Sequence, residues 1–94
     1  MIAGVLKVQL QLNGVSSLKA KRSIVKSVIG RLKSRFNVSA AEVEHHDNKR
    51  CAVIGISMVS NDSTYIDQNF NKIVEFMQRD GRFYLGPIER ETFW

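Results

Sequence analysis

The sequence predicts an α+β fold of the ferredoxin-like type, a four-stranded antiparallel sheet with two helices on one face, in the chain order β-α-β-β-α-β. Three observations carry this. Two stretches repeat their apolar residues at helical spacing, two strand-like runs lie back to back between them, and a further strand-like run stands at each end. With 94 residues and no repeat, linker or low-complexity segment, the chain reads as one domain over residues 1–94.

In the first run Ile2, Leu6, Val8, Leu10 and Leu12 are apolar while Lys7, Gln9 and Gln11 fall between them, the period-2 pattern of a half-buried strand. Asn13 and Gly14 end it, and Ser16 or Ser17 supplies a helix cap. From Leu18 to Phe36 the residues Leu18, Ile24, Val25, Val28, Ile29, Leu32 and Phe36 share one arc at about 100° per residue, giving an amphipathic helix of about five turns. Asn37 ends it. Val38 to Glu44 reads as a second strand, His45 to Asn48 as a turn and Lys49 to Val59 as a third strand. That third strand puts Ala52, Ile54, Ile56 and Met58 on one face and Cys51, Val53, Gly55, Ser57 and Val59 on the other. Both faces are mostly uncharged, which places it in the middle of the sheet. Ser60 to Ser63 are capping residues, and Ile66, Phe70, Ile73, Val74 and Met77 repeat at helical spacing to about Arg79. Asp80 and Gly81 stop this helix. The last strand begins over Arg82 to Leu85, is interrupted by Gly86 and Pro87 and resumes over Ile88 to Phe93, so Pro87 marks an edge or a bulge.

The formal net charge is +5, from 14 Lys and Arg against 9 Asp and Glu. The excess sits in one place: Ser16 to Phe36 holds Lys19, Lys21, Arg22, Lys26, Arg31, Lys33 and Arg35 and no acid. A solvated helix usually mixes signs, often as Glu to Lys pairs four apart, and none occurs here. A localised positive field suits a phosphate-bearing partner. With Lys19 set at 0° on the helical wheel, Lys26, Lys33 and Arg22 fall near 340°, 320° and 300°, a ridge about 21 Å long. Beside it runs a stripe of small residues, Ala20, Ser23, Ser27, Gly30 and Ser34. Glycine in a helix interior costs about 1 kcal/mol relative to alanine, so Gly30 points to the close approach of another surface. The first turn also puts Lys19, Lys21 and Arg22 at the pole that carries positive partial charge, where an anion held by Ser16, Ser17 and the free N–H groups would relieve them. The candidate RNA or phosphate ligands are therefore Ser17, Lys19, Lys21, Arg22, Lys26 and Lys33. For Lys19, Lys21 and Arg22 the competing expectation is that their long side chains reach into water or pair with Glu42, Glu44 or a C-terminal acid.

The chemistry of catalysis is not visible. No nucleophile elbow, Walker loop or dinucleotide fingerprint occurs, and neither catalytic residues nor a cofactor is expected. His45, His46, Asp47 and Cys51 crowd one hairpin, but their spacing matches no zinc pattern, so no metal is expected. The outward positions of the first and third strands lack the aromatic residues on which an RNA recognition motif stacks bases, which favours the helix side for any RNA contact. Outward Val5, Val53 and Val59 fit a homodimer through the open sheet face, or cover by a flexible C-terminal segment ending in Phe93 and Trp94. On the second helix Tyr65, Lys72, Phe76 and Arg79 form a mixed aromatic and basic flank of a kind that single-stranded nucleic acid uses, although such aromatics more often pad the helix-sheet edge. One cysteine allows no internal disulfide, and the longest apolar stretch, Cys51 to Val59, is nine residues, short of the roughly 20 of a membrane span. With no signal-peptide pattern at the N-terminus, a cytoplasmic location without a membrane partner is expected.

The run Ser17-Leu18-Lys19-Ala20-Lys21-Arg22, followed by Arg35-Phe36-Asn37-Val38-Ser39, Ala41-Glu42-Val43 and Val59-Ser60-Asn61-Asp62, resembles the YlxP-like family of small bacterial proteins, a domain of unknown function. The match extends from about Ile2 to Met77. The resemblance implies a ferredoxin-like domain, commonly encoded beside translation-initiation and ribosome-maturation factors, and brings no reaction with it. It adds ribosomal RNA or the ribosome as the expected partner by association. Ala20 stands where the family often has an acidic residue, and the hairpin His46 to Arg50 lacks a tryptophan often found there. The expected function is that of a non-catalytic accessory protein of translation or ribosome maturation. The alternative is a dimeric protein-interaction or ligand-sensing module without nucleic-acid binding.

Overall fold

In the computed structural model, which describes residues 1–94, the elements run β1 (Ile2–Leu12), α1 (Leu18–Arg35), β2 (Ser39–Glu44), β3 (Cys51–Ser60), α2 (Ser63–Gln78) and β4 (Phe83–Phe93). The sheet order is β2-β3-β1-β4, and every neighbouring pair is antiparallel. This is the ferredoxin-like arrangement, with β3 and β1 at its centre.

The alternation along β1 decides which way the sheet faces. Leu6, Val8 and Leu10 join Ala52, Ile54, Ile56 and Met58 of β3 in one buried cluster with Val25, Val28 and Leu32 of α1 and Ile66, Phe70, Ile73 and Met77 of α2. Both helices therefore lie on the same face. Gly4 belongs to that inward row too, because α2 presses on the strand there. A Cβ at Gly4 would lie 2.5 Å from Ile66 Cγ2 and 3.0 Å from the Phe70 ring.

Three expectations need correction. β3 starts at Cys51 rather than Lys49, because Asn48 to Arg50 is turned and the Arg50 N–H donates to Asn48 Oδ1 at 2.8 Å. Phe93 pairs with Ala3 in the β1–β4 ladder, so the C-terminal segment is sheet and not a flexible cover. Val53, paired with Gln9 on one side and Glu44 on the other, is buried, which leaves Val5 and Val59 as the exposed outward valines of the two central strands. Pro87 marks both an edge and an irregularity, since β4 is an outer strand whose register on β1 shifts between Val8 and Leu10.

Candidate nucleic-acid interface

The basic surface is built on α1. Ser17, in extended backbone conformation, caps the helix: its Oγ accepts the Ala20 N–H at 3.1 Å, and its carbonyl accepts the Lys21 N–H at 3.1 Å. At the other end the Phe36 N–H donates to the Leu32 carbonyl at 2.9 Å. Between these caps Val25, Val28 and Leu32 anchor the inner face, and Lys19, Arg22, Lys26, Arg31, Lys33 and Arg35 are exposed. None of these six has a carboxylate oxygen within 4.0 Å; the ion pairs of the molecule involve Lys7, Lys21, Arg82 and Arg90. The ridge of Lys19, Arg22, Lys26 and Lys33 thus stands unneutralised on one flank of the helix. Ser17 stands at the N-terminal end of the helix, where one lone pair of its Oγ is used in capping and its hydroxyl proton is not.

Lys21 is not part of that surface. Its side chain is 0% exposed, the ammonium lies 2.8 Å from Glu42 Oε2, and it donates to the carbonyls of His45 and, at 3.3 Å, His46. An ammonium that is wholly buried and held between one carboxylate and two carbonyls is out of reach of a phosphate. It fastens α1 to the end of β2 and to the first residues of the hairpin, where His45 adopts φ 63 and the His46 ring sits 3.1 Å from the Glu42 carbonyl. The competing expectation, a pair with Glu42, therefore holds for this one lysine. A signal for it exists in the sequence: on the same wheel Lys21 falls at about 200°, in the middle of the apolar arc and far from the ridge.

The small-residue stripe has a different standing. An added Cβ at Gly30 would meet nothing within 4 Å, so no part of this chain approaches the helix there. Ser27 is engaged, accepting a hydrogen bond from Arg82 Nη1 at 3.3 Å. On the same side of α1, Arg31 and Arg35 border a groove completed by Phe76, Arg79 and Asp80. Phe76 packs edge-on against Phe36, with ring centroids 6.2 Å apart, and carries the Arg35 guanidinium 4.8 Å from its own centroid. Phe76 therefore pads the helix edge, whereas Tyr65 is half exposed. On the opposite face of the sheet Lys7 bridges Glu44 at 2.8 Å and Glu89 at 3.7 Å, and the hydrogen bond from Lys7 holds the Glu44 carboxyl below the usual carboxylate range. Cys51 is buried, and no three His, Cys, Asp or Glu side chains converge as a metal site would need.

These features define a small ferredoxin-like domain with a cationic helix face. The chain belongs to the family described as Protein of unknown function (DUF503), whose profile matches residues 3–90. It is similar to the Uncharacterized protein YlxP of Bacillus subtilis (strain 168), with 30% identity over 61 residues, covering 65% of this chain and 66%, just under two thirds, of that protein. Among solved structures it is similar to LarC2, the C-terminal domain of a cyclometallase involved in the synthesis of the NPN cofactor of lactate racemase, in its apo form. That match has a TM-score of 0.42 at 9% identity and covers 99% of this chain and 56% of the other. A likeness at that level bears on neither ligand nor activity. No helix is long and apolar enough to cross a membrane.

Proposed function

We propose that this protein is a non-catalytic accessory factor of translation or ribosome maturation, acting in the cytoplasm, that binds the RNA backbone through α1. The observation that carries the reading is the ridge of Lys19, Arg22, Lys26 and Lys33, exposed along one helix flank with no carboxylate within 4.0 Å of any of the four. A row of cations about 21 Å long follows successive phosphates and reads little sequence. The ribosomal setting is supported by the genomic company that the YlxP-like resemblance implies. The test is co-sedimentation with ribosomal subunits and titration of a single-stranded RNA across a salt series. Each phosphate contact contributes about 0.7 to the slope of log affinity against log salt, so exchanging all four ridge cations for Gln should flatten it by about 3. Absence of association at low salt, or an unchanged slope in the variant, removes the reading.

A second reading is favoured by one other observation. In the register, Val59, Ala3 and Phe93 form one row across the open sheet face, with Val5 in the next row, and Val59 is 61% and Phe93 53% exposed. A dimer through this face would make the protein an interaction or ligand-sensing module, and solution mass measured with and without RNA separates the two.

A further inference from the structure

The groove between α1 and the end of α2 has a volume of about 230 Å³ and is lined by Arg31, Arg35, Phe76, Arg79 and Asp80. Asp80 pairs with Arg82 and not with the three arginines of the groove. Its Oδ1 accepts from Arg82 Nε and from the Arg82 backbone N–H, both at 2.9 Å, and its Oδ2 accepts from Arg82 Nη2 at 2.6 Å. Those bonds, with a smaller contribution from the charge of Arg31, hold the Asp80 carboxyl below its ordinary value, and Arg82 is its ion-pair partner within 4.0 Å. Arg31, Arg35 and Arg79 are left without an ion pair, and the Phe76 ring orients Arg35 by lying against its guanidinium. Arg35 in the last turn of α1 and Arg79 at the cap of α2 each gain from a helix C-terminus. That gain explains each arginine singly. It does not explain why three unpaired guanidinium groups from two elements border one small groove whose single acid is already taken.

We propose that this groove binds a phosphate monoester, at a site distinct from the ridge. Guanidinium forks match phosphate oxygens two at a time, and a monoester presents three terminal oxygens and close to two negative charges at neutral pH. A backbone diester has one charge and continues past its phosphate in both directions, whereas a small groove takes a terminal group. On the wheel Arg31 and Arg35 lie near 120° and 160°, on the other flank of α1 from the ridge, so the two surfaces are separable by substitution.

The shared chemistry is a terminal phosphate, borne either by a free nucleotide or by an RNA end, and two experiments on the whole protein separate these sources. In the first, the Nε–H resonances of the arginines are followed by NMR during titration with AMP and, as control, adenosine. AMP should shift Arg31, Arg35 and Arg79 saturably, adenosine should not, and Gln at Lys26 and Lys33 should leave the response intact. In the second, the affinities of 5′-phosphorylated and 5′-hydroxyl forms of one oligoribonucleotide are compared. A preference of about tenfold for the phosphorylated form, equivalent to about 1.4 kcal/mol, assigns the site to an RNA end, and equal affinities together with AMP saturation assign it to a free nucleotide. The Arg35→Gln/Arg79→Gln variant should lose the response. Arg31→Gln, on an exposed side chain that takes no part in the Arg35–Phe76 stacking contact, should lose it as well and guards against a folding defect in the double variant. The inference is overturned if neither AMP nor the 5′-phosphate has a saturable effect, or if the effect survives in both variants. The AMP arm decides this even where the ridge binds no RNA.

Discussion

Replacing Lys21 by methionine removes an ammonium that is wholly enclosed and contacts Glu42 Oε2 at 2.8 Å and the carbonyls of His45 and His46. The methionine fills most of the volume, so the loss is electrostatic. Breaking a buried ion pair from one side costs about 3–5 kcal/mol, because the remaining charge is stranded. Here the Glu42 side chain retains 14% exposure although its Oε2 is itself buried, which sets the cost at about 3 kcal/mol. For a domain of this size that is a large fraction of the whole stability. With a urea dependence of about 1 kcal/mol per molar, the unfolding midpoint should fall by about 3 M. Lys21→Met combined with Glu42→Leu should recover much of the loss, since no charge then remains unpaired. RNA affinity, measured under conditions where the single variant is folded, should stay at the wild-type level. A midpoint shift below about 1 M, or a wild-type midpoint accompanied by lost RNA binding, would refute the reasoning and return Lys21 to the binding surface.

Further expectations follow from the glycines and from Asp80. Gly4→Ala pushes a methyl group into Ile66 Cγ2 at 2.5 Å and the Phe70 ring, an overpacking that should cost about 1–3 kcal/mol in urea unfolding. Gly30→Ala meets open space in mid-helix and should stabilise by about 1 kcal/mol in thermal unfolding; a simultaneous fall in RNA affinity would show that the ligand comes close to the backbone there. The hydrogen bonds from Arg82 lower the folded-state Asp80 pKa beneath its usual 3.8. The stability this confers is fully present above that value and is lost as pH falls through the folded one. Melting temperatures recorded downward from neutral pH should therefore decline in the acid range, and Asp80→Asn should lack that share of the decline.

The fold was legible because its signals are local. The period-2 rows of β1 and β3 and the helical arcs of α1 and α2 each report their own element, and the observed bounds differ by one or two residues. Burial of Lys21 was also within reach: its wheel position is apolar, and Glu42 faces inward on β2 beside Ala40, opposite Ile54 and Ile56. Residue type obscures it, since lysine is rarely fully buried and seven basic residues in one segment read as a single surface. The Arg31, Arg35 and Arg79 groove was not legible. Its formation depends on how α1 and the end of α2 meet, and on Arg82 occupying Asp80, neither of which a linear pattern encodes.

Both outermost strands are broken in mid-course. β2 has only six residues and slips its register between Glu42 and Glu44, while β4 slips at Gly86 and Pro87, opposite Gln9, where proline has no amide hydrogen to offer. Neither border presents the long straight row of free amides and carbonyls that would template another chain, so copies of this protein are discouraged from polymerising end to end through their sheets. Self-association, where it happens, is steered to stacking of flat surfaces, which closes after two molecules instead of growing without limit.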